Sequence, residues 1–222
     1  MPNKSFLFVD ESGDAGDNDG TGDNSKCYSE LVLQIDSDTL DQFSSHIINW
    51  RYVQGIYKEL KSIRVQDIPR FINPIRELKS DGIIKCSAIY LTKMTYTGPY
   101  LKQTSPRGKD PIKFRNHIHH QLLRYHFKNY PPDTNTQIDI AFDFYRMSKA
   151  DFDNLESYLR KVCMLPGINH ICHIDSRFCF PLQLTSQLVN LVSDIPQGKA
   201  NQQNVQLLDF ISLKDVTKNN WP

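Results

Sequence analysis

Three apolar runs of strand length in this chain stop at acid. Ser5-Phe6-Leu7-Phe8-Val9 runs into Asp10-Glu11-Ser12-Gly13, Ile138 to Phe142 ends at Asp143, and Ile168 to Ile174 ends at Asp175-Ser176. Apolar side chains on a strand bury and fix the backbone, so an acid just past the run is held at the mouth of a sheet by a rigid element. Carboxylates gathered from several such ends are what a pair of divalent cations needs. Such cations steady the attacking and leaving oxygens in phosphoryl transfer. Asp10 is the first candidate for the centre of a site. Each of these ends also has an ordinary reading, because Asp and Ser bond their own backbone in turns and Gly supplies a positive φ.

Other stretches carry chemistry of their own. Tyr96 to Lys109 is polar and basic, and its Lys102 and Arg107 are candidates for contact with a phosphate backbone. A helix beginning at Asp110-Pro111 carries His117, His119, His120 and His126. No two of these are four apart, so they lack the two-histidine zinc face and read as surface or partly buried side chains. The acidic loop Gly13 to Asn24 invites a calcium reading, but counting from Asp17 places Tyr28 where a twelfth-position Glu is wanted. Cys163, His170, Cys172, His173 and Cys179 offer soft zinc ligands, although a strand throws Cys172 and His173 to opposite faces.

Composition sets the bounds. With 26 Lys and Arg against 25 Asp and Glu, the 222-residue chain has a formal charge of +1, so any basic surface for nucleic acid must be a local patch. No apolar run approaches the length of a membrane span. The five cysteines include no Cys-x-x-Cys pair, which points away from a disulfide framework and toward a reducing cytoplasm.

The elements that must position the acids follow from periodicity. A second strand, Cys27 to Ile35, pairs with the first as a hairpin. Ser37 caps a helix from Asp38 to Val53, and a second helix runs from Ile68 to Leu78. Then come a strand at Ile83 to Thr92, a helix to Lys128, the strand ending at Asp143, and a helix from Lys149 to Cys163 that opens on the Ser148/Asp151 capping box. The strand ending at Ile174 and a helix from Leu182 to Val192 complete the core. A short helix around Val205 to Ile211 is expected in the tail. Without the two helices between the second and third strands, this order is ribonuclease H-like: an α/β fold with a mixed five-stranded sheet and helices on both faces. One domain over 1–195 is expected, with a helical insertion at 36–82 and a tail at 196–222 packed on it. In this order the first and fourth strands are neighbours, so Asp10 and Asp143 converge.

Asp10-Glu11-Ser12-Gly13, Glu59-Leu60-Lys61, Asp143, and Asp175-Ser176 followed by Leu182-Gln183-Leu184 together resemble the domain-of-unknown-function 3800 family, found in bacterial and phage-related settings. The resemblance covers Phe6 to about Val192. It implies a ribonuclease H-like nuclease, or another phosphoryl-transfer enzyme, that acts on RNA or DNA with Mg or Mn. In that reading Asp10 is the shared metal ligand, and Asp143 and Glu59 complete the set. Asp175 adds a further catalytic acid, Lys61 is a phosphate partner, and Gln183 contacts substrate; His173 assists if its face is open. The last family motif reads Leu-Gln-x-Ala-Asp, whereas this chain has Leu182-Gln183-Leu184-Thr185-Ser186, placing a serine where a metal-facing aspartate is expected. That departure supports the alternative, a catalytically quiet module that binds nucleic acid, a partner protein or a second copy of itself.

Overall fold

In the computed structural model, residues 3–16, 26–56, 60, 68–143, 148–162, 167–199 and 208–218 are described. The elements are β1 (Lys4–Ser12), β2 (Cys27–Asp36), α1 (Leu40–Gln54), α2 (Ile68–Ser80), β3 (Ile84–Thr92), α3 (Pro111–Asn129), β4 (Gln137–Asp143), α4 (Lys149–Val162), β5 (Ile168–Ile174), α5 (Phe180–Asp194) and β6 (Ser212–Asp215). They build one mixed sheet in the order β5-β4-β1-β2-β3-β6. The first three strands form an antiparallel meander, β4 and β5 run parallel to β1, and β6 runs parallel to β3. None of the described helices is long and apolar enough to cross a membrane.

Alternation along the strands divides the apolar residues between two cores. Leu31, Leu33 and Ile35 of β2, with Ile84 and Cys86 of β3, pack under α1, α2 and α5. Leu7 and Val9 of β1, with Ile138, Ile140 and Phe142 of β4, pack under α3 and α4. β2 is buried along nearly its whole length because both its faces are covered. α5 contributes Leu184, Leu188, Val189 and Val192, all fully buried. At roughly 1.5–3 kcal/mol for each large aliphatic side chain taken out of water, this helix is firmly anchored to the sheet.

Local signals explain most of the boundaries. Asp110 accepts a hydrogen bond from the Lys113 N–H at 3.0 Å, with Pro111 in the first turn of α3. The Ser148 hydroxyl accepts from the Asp151 N–H at 3.2 Å and donates to the Asp151 carboxylate at 2.7 Å, capping α4. Gly167 is required where it stands: its φ is +88°, and a Cβ there would lie 2.2 Å from the Thr136 carbonyl oxygen.

Three expectations are corrected. The sheet has six strands rather than five, because the tail supplies β6 along the edge of β3. Leu208–Phe210 form a turn rather than the end of a helix, and Leu208, Phe210 and Ile211 fill the α1/α2/α5 core; Val205 to Leu207 lie outside the described residues. The position before α1 is Thr39 rather than Ser37, whose N–H and hydroxyl are both used in bonds to the Lys4 backbone.

Candidate active site

β1 and β4 are paired in parallel up to Val9 opposite Phe142. One residue further along both strands stand Asp10 and Asp143, adjacent and on the same face, because residues paired laterally in a sheet share a side. That face belongs to α5: the Ser186 hydroxyl hydrogen-bonds the Asp10 carboxylate, whose Oδ1 also accepts from the Glu11 N–H at 2.7 Å. Asp143 Oδ1 accepts from the Ser176 N–H at 2.9 Å, which ties the site to the turn after β5. Asp10 is only 9% exposed. Burial raises its pKa from 3.8 to about 7, and the negative charge of Asp143 adds to the rise, against the opposing pull of the Glu11 amide and Ser186.

These acids border a cavity of about 480 Å³, whose walls include Asp10, Glu11, Asp143, Arg115, His119 and His173. The turn after β1 forms one rim and is held from beneath. The Lys93 ammonium, fully buried, donates to Asp14 Oδ1 at 3.0 Å and to the Gly16 carbonyl at 2.8 Å.

The other sequence-derived candidates are spread more widely. Glu59 and Lys61 lie outside the described residues, as do Cys163 and the calcium-like loop from Asp17. Leu60 is buried, and its N–H donates to Gln183 Oε1 at 3.2 Å. Gln183 Nε2 donates to the carbonyls of Ser176 and Arg177, so the amide of this buried side chain stitches α5 to the turn after β5. Asp175 caps that turn, and its carboxylate receives Arg177 Nη2 at 2.6 Å and Nε at 2.9 Å. Lys102 Nζ donates to the Met94 carbonyl, and Arg107 donates to the Tyr100 hydroxyl on the outer surface. His173 is paired with Phe142 and stacks on its ring, on the face opposite Asp143; burial lowers its pKa, favouring the neutral ring. Cys172 stands opposite Ala141, on the other side of β5 from His173.

Of the α3 histidines, His117 and His120 are partly buried as expected, and two are not. His119 and His126 are buried rather than superficial, at 4% and 0% exposure. His126 sits between Ser87 Oγ and Gln34 Oε1, and burial pushes its pKa down to about 3. His119 belongs to a polar cluster on the α3 side of the sheet. There Glu11 and Glu30 are direct cross-strand partners, Arg115 grips Glu11 through Nε at 2.8 Å and Nη2 at 2.6 Å, and the Tyr28 hydroxyl bonds to both carboxylates. Two sequence signals point to this cluster. Glu30 is an acid inside an otherwise buried strand, and Arg115 and His119 are four apart on a helix that has no acid of its own.

By donor chemistry, the Asp10–Asp143–Ser186 group suits a hard divalent cation. It offers two carboxylates and a hydroxyl, all oxygen, beside an open cavity where the remaining positions could hold water. The raised pKa of Asp10 is in keeping with that fit, since burial first and the Asp143 charge second disfavour its anion where no cation is present. Arg115, in the same cavity wall, is paired with Glu11 on the α3 side of the sheet. No protein-family model matches the chain, and no curated protein matches it.

Proposed function

We propose that this chain is a divalent-metal-dependent nuclease or related phosphoryl-transfer enzyme acting on RNA or DNA, built on a ribonuclease H-like plan of the kind the domain-of-unknown-function 3800 resemblance implies. The observation that carries this reading is the register of β1 and β4, which sets Asp10 beside Asp143 at the sheet mouth while burial drives Asp10 to about 7. Two carboxylates held this close in a low dielectric favour whatever neutralises them, and a cation does so without surrendering either negative charge.

Asp10 and Asp143 would hold Mg or Mn, with Ser186 as a neutral oxygen beside them. When bound, the cation supplies a water of lowered pKa and stabilises charge on the phosphate oxygens. The protein's own contribution is placement. The paired strands fix both carboxylates, the Ser176 N–H holds Asp143 in one orientation, and the Glu11 N–H does the same for Asp10. Gln183 fixes the turn that carries Ser176. Asp10 would have to give up its proton to hold a cation, so binding would tighten as pH rises toward 7. Arg107, exposed on the loop before α3, is the candidate for steering a phosphate backbone to the cavity.

The test is cleavage of a mixed panel of labelled single- and double-stranded RNA and DNA. Cleavage with Mg or Mn that stops with chelator and in Asp10→Ala supports the proposal. Metal-dependent cleavage that persists in Asp10→Ala refutes the site. One observation favours the second reading, a catalytically quiet nucleic-acid-binding module. The α5 position facing Asp10 is a neutral Ser186, and serine is a weak ligand for a hard cation. Under that reading the wild type binds nucleic acid without cutting it, and Ser186→Asp creates activity.

A further inference from the structure

Glu11 and Glu30 stand opposite each other on the α3 side of the sheet, away from the Asp10–Asp143 face. Placing two carboxylates directly across a strand pair is unfavourable unless something neutralises both. Arg115 answers Glu11 with a two-pronged ion pair. The Tyr28 hydroxyl reaches both acids, and it has only one proton to give; its shorter contact is with Glu11.

Glu30 is a fully buried acid whose Oε1 takes the Tyr28 hydroxyl at 2.9 Å. Its Oε2 has no hydrogen-bond partner. His119 Nδ1 faces Glu30 Oε1 at 3.0 Å, close enough to pair with it when the ring is protonated. A carboxylate oxygen orphaned inside a buried cluster is costly, and an atom of this kind marks the place of something that completes it. One donor atom from each of Glu11, Glu30 and His119 lies within 4.8 Å of the other two, which is the span of a single coordination sphere. The cluster opens on the 480 Å³ cavity through Glu11 and His119, so an ion has an entry path.

We propose that Glu11, Glu30 and His119 form a second divalent-cation site, separate from the Asp10–Asp143 pair and selective for first-row transition ions over Mg. A mixed set of carboxylate oxygen and imidazole nitrogen favours Mn, Fe, Co or Zn, whereas an all-oxygen set suits Mg. Glu30 supplies its unpaired Oε2, His119 a ring nitrogen that now faces Glu30, and Glu11 an oxygen while it keeps its pairing with Arg115. The inference does not rest on the nuclease reading, because it draws on different residues on the other face of the sheet.

The experiment uses Mn²⁺ alone with the full chain, counting bound ions by equilibrium dialysis and detecting histidine ligation by pulsed electron paramagnetic resonance. The wild type should bind two Mn²⁺. Asp10→Asn should retain one, with nitrogen modulation that changes when histidine is ¹⁵N-labelled. Adding His119→Gln should remove that modulation and weaken the retained ion more than about 10-fold, beyond the least that a lost outer partner costs. The labelling arm needs no substitution and stands even if His119→Gln fails to fold. A single nitrogen-coupled ion in the wild type would support this site and count against the Asp10 site. Retained Mn²⁺ without nitrogen coupling, or no Mn²⁺ in Asp10→Asn, would overturn the proposal and mean that a proton rather than a metal ion completes the cluster.

Discussion

Replacing Asp10 with Asn should stabilise this protein in chelator while abolishing the metal-dependent cleavage proposed above. Asn is close in shape to the protonated acid and keeps an oxygen for the Glu11 N–H and a polar partner for Ser186. The folded state raises the Asp10 pKa from 3.8 to about 7. A carboxyl whose pKa is higher folded than unfolded favours folding while it is protonated. That contribution is intact below about pH 4 and is lost as pH rises toward 7. About three pKa units at 1.36 kcal/mol each give an upper bound of ~4 kcal/mol at pH 8, and roughly half that is a fair expectation once the surroundings relax. For a chain of this size each kcal/mol moves Tm by about 2–4 °C, so Asp10→Asn should melt roughly 4–8 °C higher than wild type at pH 8. At pH 4 the two should coincide. The assay is thermal or urea unfolding with chelator across pH 4–8. With Mg or Mn at millimolar concentration the wild type should recover much of the gap, because a ligand that binds only the folded state stabilises it. An Asn variant that is less stable at pH 8, or a difference that does not vary with pH, would refute the claim that Asp10 is held as a destabilised anion.

Three further outcomes follow from the same physics. Arg115→Met should cost about 3–5 kcal/mol in urea unfolding, because it leaves the half-buried Glu11 carboxylate unpaired beside Glu30, and adding Glu11→Gln should recover part of that loss. Gly167→Ala should destabilise by more than about 2 kcal/mol, since the added Cβ meets the Thr136 carbonyl at 2.2 Å in a positive-φ conformation, whereas Gly55→Ala, with nothing within 4 Å, should cost less. His126 is neutral when folded, with its pKa depressed to about 3, so the stability it contributes is complete above about pH 6.5 and is lost as pH falls from there toward 3; His126→Gln should flatten that acid limb of the stability curve by up to about 4 kcal/mol.

Much of the architecture was legible because it rests on local rules. The Asp110-Pro111 and Ser148/Asp151 signals mark helix starts that the structure shows capped as expected, and the three apolar runs ending in acid are β1, β4 and β5. The adjacency of Asp10 and Asp143 was also within reach, since it follows once β1 and β4 are neighbours. The sixth strand was not legible. Ser-Leu-Lys-Asp is too short and too polar to announce itself, and it becomes a strand only because β3 presents an edge and Leu208, Phe210 and Ile211 pin the preceding turn into the core. The Glu11–Glu30–His119 cluster escaped for a related reason. Histidine spacing along one helix says nothing about acids delivered from two strands. Only the β1–β2 register, pairing Glu11 with Glu30, sets both under the Arg115–His119 face of α3.

Whether Asp10 and Asp143 share one cation is answered directly by a crystal soaked in Mn²⁺ and measured for anomalous scattering. The prediction is a peak within roughly 2–2.5 Å of carboxylate oxygens from both residues, the usual reach of oxygen ligands to hard divalent ions, and its loss in Asp10→Asn. A map with no peak between the two aspartates, in a crystal where Mn²⁺ has visibly bound elsewhere, would contradict it.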